Sequence, residues 1–316
     1  MDHSARAAGA VVGSAVGDAL GAPFEFGPAG AFSARFPKPG AGEEMCGGGG
    51  WEPGEGTDDT QMALHVAYSL VERGGLDLPD IYKRFKRWAK ADPKDIGLQT
   101  LSVLSSFRSW DKAAAHHFKT SLRAAGNGSL MRATPSAVHF AAQGRAATMN
   151  AARRIAALTH GDPAAWEGTA IFQELVRVAL DGGDPLAAIP DALDAVDPGQ
   201  RDRYVTVLAE DWHPSQATEF NGAVWPCLGS AVWALRTTSD YEEALRAAID
   251  LGGDTDTVAA VTGGLAGAVY GLAAIPERWT APLYVPLPGS RDHEVVRLDD
   301  LIDLTRRLLS GQTWNQ

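Results

Sequence analysis

Two short stretches of this chain crowd oxygen-bearing side chains at the start of a helix. In LGGDTDTVAAVTGGLAGAVYG (251–271), Asp254, Thr255, Asp256 and Thr257 stand together ahead of a run of small, mostly apolar residues. EGTDDTQMAL (55–64) repeats the grammar with Thr57, Asp58 and Asp59. One reading is N-capping, because Asp and Thr oxygens accept the orphan backbone N–H groups of a helix start. A cap uses one such residue, and four in a row exceed that need. The other reading is a metal site. Brought together, the two clusters gather four carboxylates, Asp58, Asp59, Asp254 and Asp256, which must lose charge by protonation or gain a cation. Oxygen-only donors are hard and suit Mg²⁺, Mn²⁺ or Ca²⁺ rather than zinc. Neighbouring residues at a helix start point in different directions, so each pair can face two ions about 3.5–4 Å apart. On residue chemistry alone, a pair of capped helices and a metal centre both stay open.

Either reading needs rigid mounts, and the periodicity supplies them. Apolar residues recur at three- and four-residue spacing over 4–20, 60–73, 78–90, 129–142, 146–158, 164–181, 222–236, 240–250, 256–272 and 296–309. Gly and Pro clusters punctuate these segments at 27–30, 37–54, 182–185 and 281–289. Alternating β-branched runs are scarce and no solenoid repeat is visible. The expectation is one all-α domain over 1–316, a single compact multi-helix bundle. The segment 256–272 carries Gly263, Gly264, Gly267 and Gly271. Each glycine costs about 1 kcal/mol relative to alanine in a helix, unless neighbouring backbones approach closely. That places this helix at the centre of the bundle.

Composition narrows the classes of function. The 316 residues are 45% hydrophobic, enough for a sizeable core, and the formal net charge is −11. Such a balance argues against non-specific nucleic-acid binding, which needs a positive surface, and it favours a cation site. Two cysteines, Cys46 and Cys227, are too few for a disulfide framework and lie in no zinc-type spacing. The N-terminal stretch lacks a basic n-region and a strongly apolar h-region, and Asp18 interrupts it. No long uncharged run predicts a membrane span. The expected setting is a reducing cytoplasm.

Five motifs then come in a characteristic order: GSAVGDALGAPFEF (13–26), GTDDTQMAL (56–64), GNGSLMR (126–132), THGDP (159–163) and LGGDTDTVAAVTGGLAGAVYG (251–271). In this the chain resembles the ADP-ribosylglycohydrolases, above all the bacterial dinitrogenase reductase-activating glycohydrolases. The resemblance implies an all-α fold, a binuclear Mg²⁺ or Mn²⁺ centre, and hydrolysis of the bond between ADP-ribose and an acceptor. It makes Thr57, Asp58, Asp59, Asp254, Asp256 and Thr257 metal ligands. Asp58, Asp59 and Asp256 are thereby catalytic, together with Glu25 on a segment near the ions.

The same resemblance weighs the remaining motifs. Glu25 in GAPFEF would otherwise read as a solvated loop carboxylate, flanked by Phe24 and Phe26 as anchors. GNGSLMR reads as a turn plus N-cap or as an anion cradle of backbone N–H groups; the resemblance favours the cradle, with Asn127, Gly128 and Ser129 at a diphosphate. His160 is assigned to ADP-ribose binding and Asp162 to a helix cap. Asp95 in DPKDIGLQT either caps a helix beginning near Ile96 or meets the acceptor. Leu98 stands where relatives often carry Asn, a departure that touches acceptor recognition rather than the metal site. His116 and His117 have no partner at ligand spacing, and Trp225 reads as packing. The expected partner is ADP-ribosylated protein, arginine-linked by the nearer resemblance, or ADP-ribose itself. O-linked ADP-ribose, a non-cleaving ADP-ribose-binding module and a crystallin-like structural protein of the same fold are the alternatives.

Overall fold

Asp2 opens the first helix by accepting the backbone N–H of Ala5 at 2.7 Å, and His3–Gly21 then runs unbroken. The structure is a computed structural model that describes residues 1–40, 42–121, 124–290 and 294–311. Helices account for nearly all of its regular elements, in line with the all-α expectation. The one sheet among the described residues is an antiparallel ribbon, Tyr284–Pro286 paired with Val295–Arg297.

The first helix lies antiparallel against Thr255–Tyr270, and glycine explains how closely. A Cβ on Gly9, Gly13, Gly17 or Gly21 would collide with the backbone carbonyl of Gly267, Gly263, Ala259 or Thr255 respectively. Each four-residue step down one helix meets a four-residue step up the other. Helical side chains project on that spacing, so a bare stripe lets the two backbones touch. The expected centre of the bundle is therefore a pair of helices, and its glycines are compensated by this approach. Val224–Thr237, Tyr241–Ile249, Pro163–Leu180 and Asp58–Arg73 pack around the pair. One cluster of buried side chains extends from Ala7 to Leu308.

The sequence reading placed the long helices within a few residues of their bounds. It missed shorter ones, including Ala31–Arg35, Ala113–Thr120 and Pro198–Leu208, while the helix expected near Ile96 begins at Leu98. Pieces this short present too few buried positions to show a period; Pro198–Leu208 buries only Tyr204, Val207 and Leu208. The expected helix over 129–142 is a 3₁₀ turn, Asn127–Ser129, followed by a separate helix, Thr134–Phe140, with Pro135 in its first turn. The first helix, with the turn to Phe24, is long and apolar enough to cross a membrane by length and composition alone. In this fold 94% of that apolar window is buried among other helices.

Candidate active site

Thr255–Tyr270 of the central pair and the neighbouring Asp58–Arg73 start close together, which brings the two acidic clusters to one place. Thr57 caps Asp58–Arg73 by accepting the backbone N–H of Asp59 at 3.2 Å. Asp254 occupies the N-cap position of Thr255–Tyr270 but makes no side-chain cap bond. Its Oδ2 instead accepts from Asn127 Nδ2 at 3.1 Å. Thr57 is thus a cap, whereas Asp256 Oδ1 accepts its neighbour Thr257 N–H at 2.8 Å and Asp59 Oδ2 accepts nothing. Across the gap, Thr257 Oγ1 donates to Asp59 Oδ1 at 3.4 Å and joins the two clusters.

Glu25 reaches the same point from a third segment. Gly252 and Gly253 turn the chain with φ of 71° and 75°, a region that favours glycine. This turn forms a bridge to the Glu25 loop: Phe26 N–H donates to Gly253 O at 2.6 Å, and Gly253 N–H donates to Gly27 O at 3.1 Å. Phe24 anchors the loop inward against Phe32, with ring centroids 5.2 Å apart. Phe26 does not bury; it is 73% exposed and stacks on Phe220 at 6.4 Å. Oxygens of Glu25, Asp254 and Asp256 come within 4.8 Å of one another.

Asp58, Asp59, Asp95, Asp254, Asp256 and Glu25 all line one cleft of about 370 Å³, and no lysine or arginine lines it among the described residues. Burial, then the neighbouring carboxylates, holds Asp58, Asp59 and Asp256 well above the usual carboxylate range. Burial raises Asp254 as well, against hydrogen bonds with Asp256, Asn127 and Thr257. Glu25 is pushed up to about 7, by burial first and then by Asp254, Asp95 and Asp18. Asp59 Oδ2 is buried without a hydrogen-bond partner. A buried polar atom left in this state is costly, and a cation is the partner that suits several carboxylates at once. The donors are all hard oxygens, so the set fits a hard divalent cation.

The family pattern of the ADP-ribosylglycohydrolases matches residues 1–315, which is nearly the whole chain. The chain belongs to the ADP-ribosylglycohydrolase family. It is 30% identical over 282 residues to the ADP-ribosyl-[dinitrogen reductase] glycohydrolase of Rhodospirillum rubrum, covering 88% of this chain and 90% of that one. It is 29% identical over 286 residues to the ADP-ribosylarginine hydrolase Tri1 of Serratia proteamaculans (strain 568), covering 87% of this chain and 74% of the relative. Among solved structures it is similar to an ADP-ribosylglycohydrolase-related protein complex, with a TM-score of 0.77, 33% identity and 99% of each chain covered.

Gly126, Asn127, Gly128 and His160 line the same cleft. Asn127 turns its amide to Asp254, so its side chain serves the acidic end, while Gly128 remains on the turn. Ser129 does not line the cleft; its hydroxyl donates to Ala165 O at 3.3 Å. Asp162 caps Pro163–Leu180, as expected, through Ala164 N–H at 2.9 Å. Asp95 is not a helix cap: the helix begins at Leu98 behind Gly97, and Asp95 Oδ1 accepts from its neighbour Ile96 N–H at 2.8 Å. Trp225 donates to Glu219 Oε2 at 3.1 Å and carries the Arg203 guanidinium 4.5 Å above its ring.

Two supporting residues escaped the sequence reading. Asp18 is fully buried and accepts Thr57 N–H at 3.0 Å, Thr60 N–H at 3.2 Å and the Thr60 hydroxyl. It holds the first acidic loop in place. Burial pushes it up to about 6 even against those hydrogen bonds. The signal in the sequence is a lone Asp that interrupts an apolar helix without naming its partners. Asn221 is the second: its Oδ1 accepts Asp254 N–H at 3.0 Å and its Nδ2 donates to Gly252 O at 2.8 Å. Nothing in its sequence context distinguished it from an ordinary turn residue.

Proposed function

We propose that this chain is a divalent-cation-dependent hydrolase that releases ADP-ribose from a modified acceptor, arginine on a protein foremost. The observation that carries the reading is the orphaned Asp59 Oδ2 among carboxylates in a cleft that no lysine or arginine lines among the described residues. Asp58, Asp59, Asp254 and Asp256, with the Thr57 and Thr257 oxygens, would hold two Mg²⁺ or Mn²⁺ ions. Such ions would supply Lewis acidity there, orienting sugar oxygens and lowering the pKa of a bound water.

The chain's own groups supply the rest. Hydrolysis breaks the bond from ribose C1 to the acceptor, adds water's oxygen to C1 and returns a proton to the leaving nitrogen. Positive charge builds on the sugar in the transition state, and the carboxylates facing the cleft stabilise it. Glu25 stands beside Asp254 and Asp256 at the edge of the cluster and is placed to take or give a proton. Asp95 faces the same cleft and offers a carboxylate for the guanidinium of an arginine acceptor. The Gly126–Gly128 turn and His160 take the diphosphate end.

The names of the Serratia and Rhodospirillum relatives favour arginine and a protein substrate. The same reading takes the chain as one domain acting in a reducing cytoplasm, to which its free Cys46 and Cys227 are suited. Parallel time courses of ADP-ribose release from arginine-linked and serine-linked peptides, with Mg²⁺ or Mn²⁺, test the reading. Release from the arginine-linked peptide supports it. Release from the serine-linked peptide alone replaces arginine with an O-linked acceptor, and release from neither refutes the hydrolase.

A further inference from the structure

Behind the diphosphate end of the cleft lies a cation with no counter-charge. Arg132 is fully buried, and among the described residues no carboxylate lies within ion-pair distance of it. Its Nη2 donates to Ile155 O at 3.2 Å and to Thr159 Oγ1 at 2.7 Å, and its guanidinium stacks 4.9 Å above the Phe85 ring. Thr159 is fully buried too, and its Oγ1 lies 2.9 Å from His160 Nδ1.

The hydroxyl between them has one proton and two acceptor sites. Arg132 can only donate, so it occupies one acceptor site. The threonine proton then has one partner among the described residues, His160 Nδ1. Were Nδ1 protonated instead, the hydroxyl would accept twice and its own proton would be buried without a partner, which costs free energy. Nδ1 is therefore the acceptor and Nε2 carries the ring proton. A doubly protonated ring is opposed by burial and by the nearby Arg132 charge, which hold His160 well below its usual range.

The Cε1–Nε2 edge of that ring lies along the glycine turn. A Cβ built on Gly126 would stand 3.4 Å from Nε2, and one on Gly128 would stand 3.3 Å from it. His160 lines the cleft, and its Nε2 has no protein hydrogen bond among the described residues. We propose that Arg132 and Thr159 are positioning residues that fix the His160 tautomer, so that Nε2–H donates into the cleft to the diphosphate of an ADP-ribosyl ligand. The relay itself rests on geometry alone; its ligand rests on the function proposed above. Arg132 acts through Thr159 and leaves the reacting carbon untouched.

The test reads the ring directly. Nitrogen-15 NMR of the labelled protein, with His160→Gln to assign the signals, reports which ring nitrogen bears the proton. The proposal expects it on Nε2 in the wild type and in Thr159→Ser, and a mixture in Thr159→Val, which has no hydroxyl. Calorimetric titration with ADP-ribose should show binding about tenfold weaker for Thr159→Val and within about twofold of wild type for Thr159→Ser. In turnover, Thr159→Val should raise KM with little change in kcat. A proton on Nδ1 in the wild type overturns the relay without any variant having to fold. The predicted tautomer with equal ADP-ribose affinity in all three proteins overturns its role in binding. A wild type with the predicted tautomer that does not bind ADP-ribose supports the relay and refutes the ADP-ribosyl reading instead.

Discussion

Asp59→Asn isolates the charge on which the acidic site depends. Asp59 is 2% exposed; Oδ1 accepts the Thr257 hydroxyl and Oδ2 has no partner. Asparagine keeps the shape and the Oδ1 acceptor, and it turns the orphaned atom into a donor facing neighbouring carboxylates. In EDTA the variant should therefore melt no lower than wild type, since burial already disfavours the Asp59 charge. With a cation the order reverses. An ion at 100 times its Kd stabilises the folded wild type by about 2.7 kcal/mol. At roughly 2 °C per kcal/mol for a chain this long, that is a rise of about 5 °C in Tm. If losing a charged ligand raises Kd about 100-fold, the same ion contributes only about 0.4 kcal/mol, under about 1 °C. Thermal melts of both proteins in EDTA and in Mg²⁺ or Mn²⁺ give the four numbers. An Asp59→Asn protein that melts well below wild type in EDTA, or that keeps the full cation-induced shift, would refute the reasoning.

Glu25→Gln should still bind ADP-ribose while hydrolysis slows by about 10²–10⁴; an unchanged single-turnover rate would remove Glu25 from proton transfer. Asp95→Asn should melt as wild type does, because Asp95 caps no helix, and should lose far more activity on arginine-linked than on O-linked ADP-ribose; equal losses would place Asp95 in the chemistry at C1. Asp18 and Glu25 have folded pKa values raised to about 6 and about 7. Over the window from their unfolded values up to those values, the folded metal-free protein binds more protons, so their contribution to its stability falls as pH rises. A cation that neutralises the cluster reverses that loss, so the Mg²⁺-induced Tm shift should be larger near neutrality than at about pH 5; a shift that shrinks with rising pH would contradict this.

The long helices and the acidic ends were legible because each repeats a strong local signal. A 3.6-residue apolar period extends over many turns, and Thr-Asp-Asp-Thr or Asp-Thr-Asp-Thr exceeds what a cap needs. The glycines of 256–272 announced a close neighbour but not its identity, since pairing Gly17 with Ala259 is a long-range fact. The short helix Leu98–Leu104 begins behind Gly97 with no side-chain cap, so Asp95 looked like the cap that was missing. Asn127 belonged to a plausible anion turn, yet its amide is drawn to Asp254, more than a hundred residues away. Ser129 carried the hydroxyl that motif reasoning wanted near a phosphate, while the 3₁₀ turn directs it to Ala165. Asp18 needs the converse inference: a carboxylate inside a deeply buried helix must have partners, and the backbone of the first acidic loop provides them.

The central claim is that a divalent cation held by the converging aspartates enables removal of ADP-ribose from arginine. Its most direct test is ADP-ribose release from an ADP-ribosylarginine protein, followed in Mg²⁺ or Mn²⁺, then after EDTA and exhaustive dialysis, then after the ion is restored. The account predicts release, its loss, and its recovery. Full activity in excess EDTA after dialysis would contradict it.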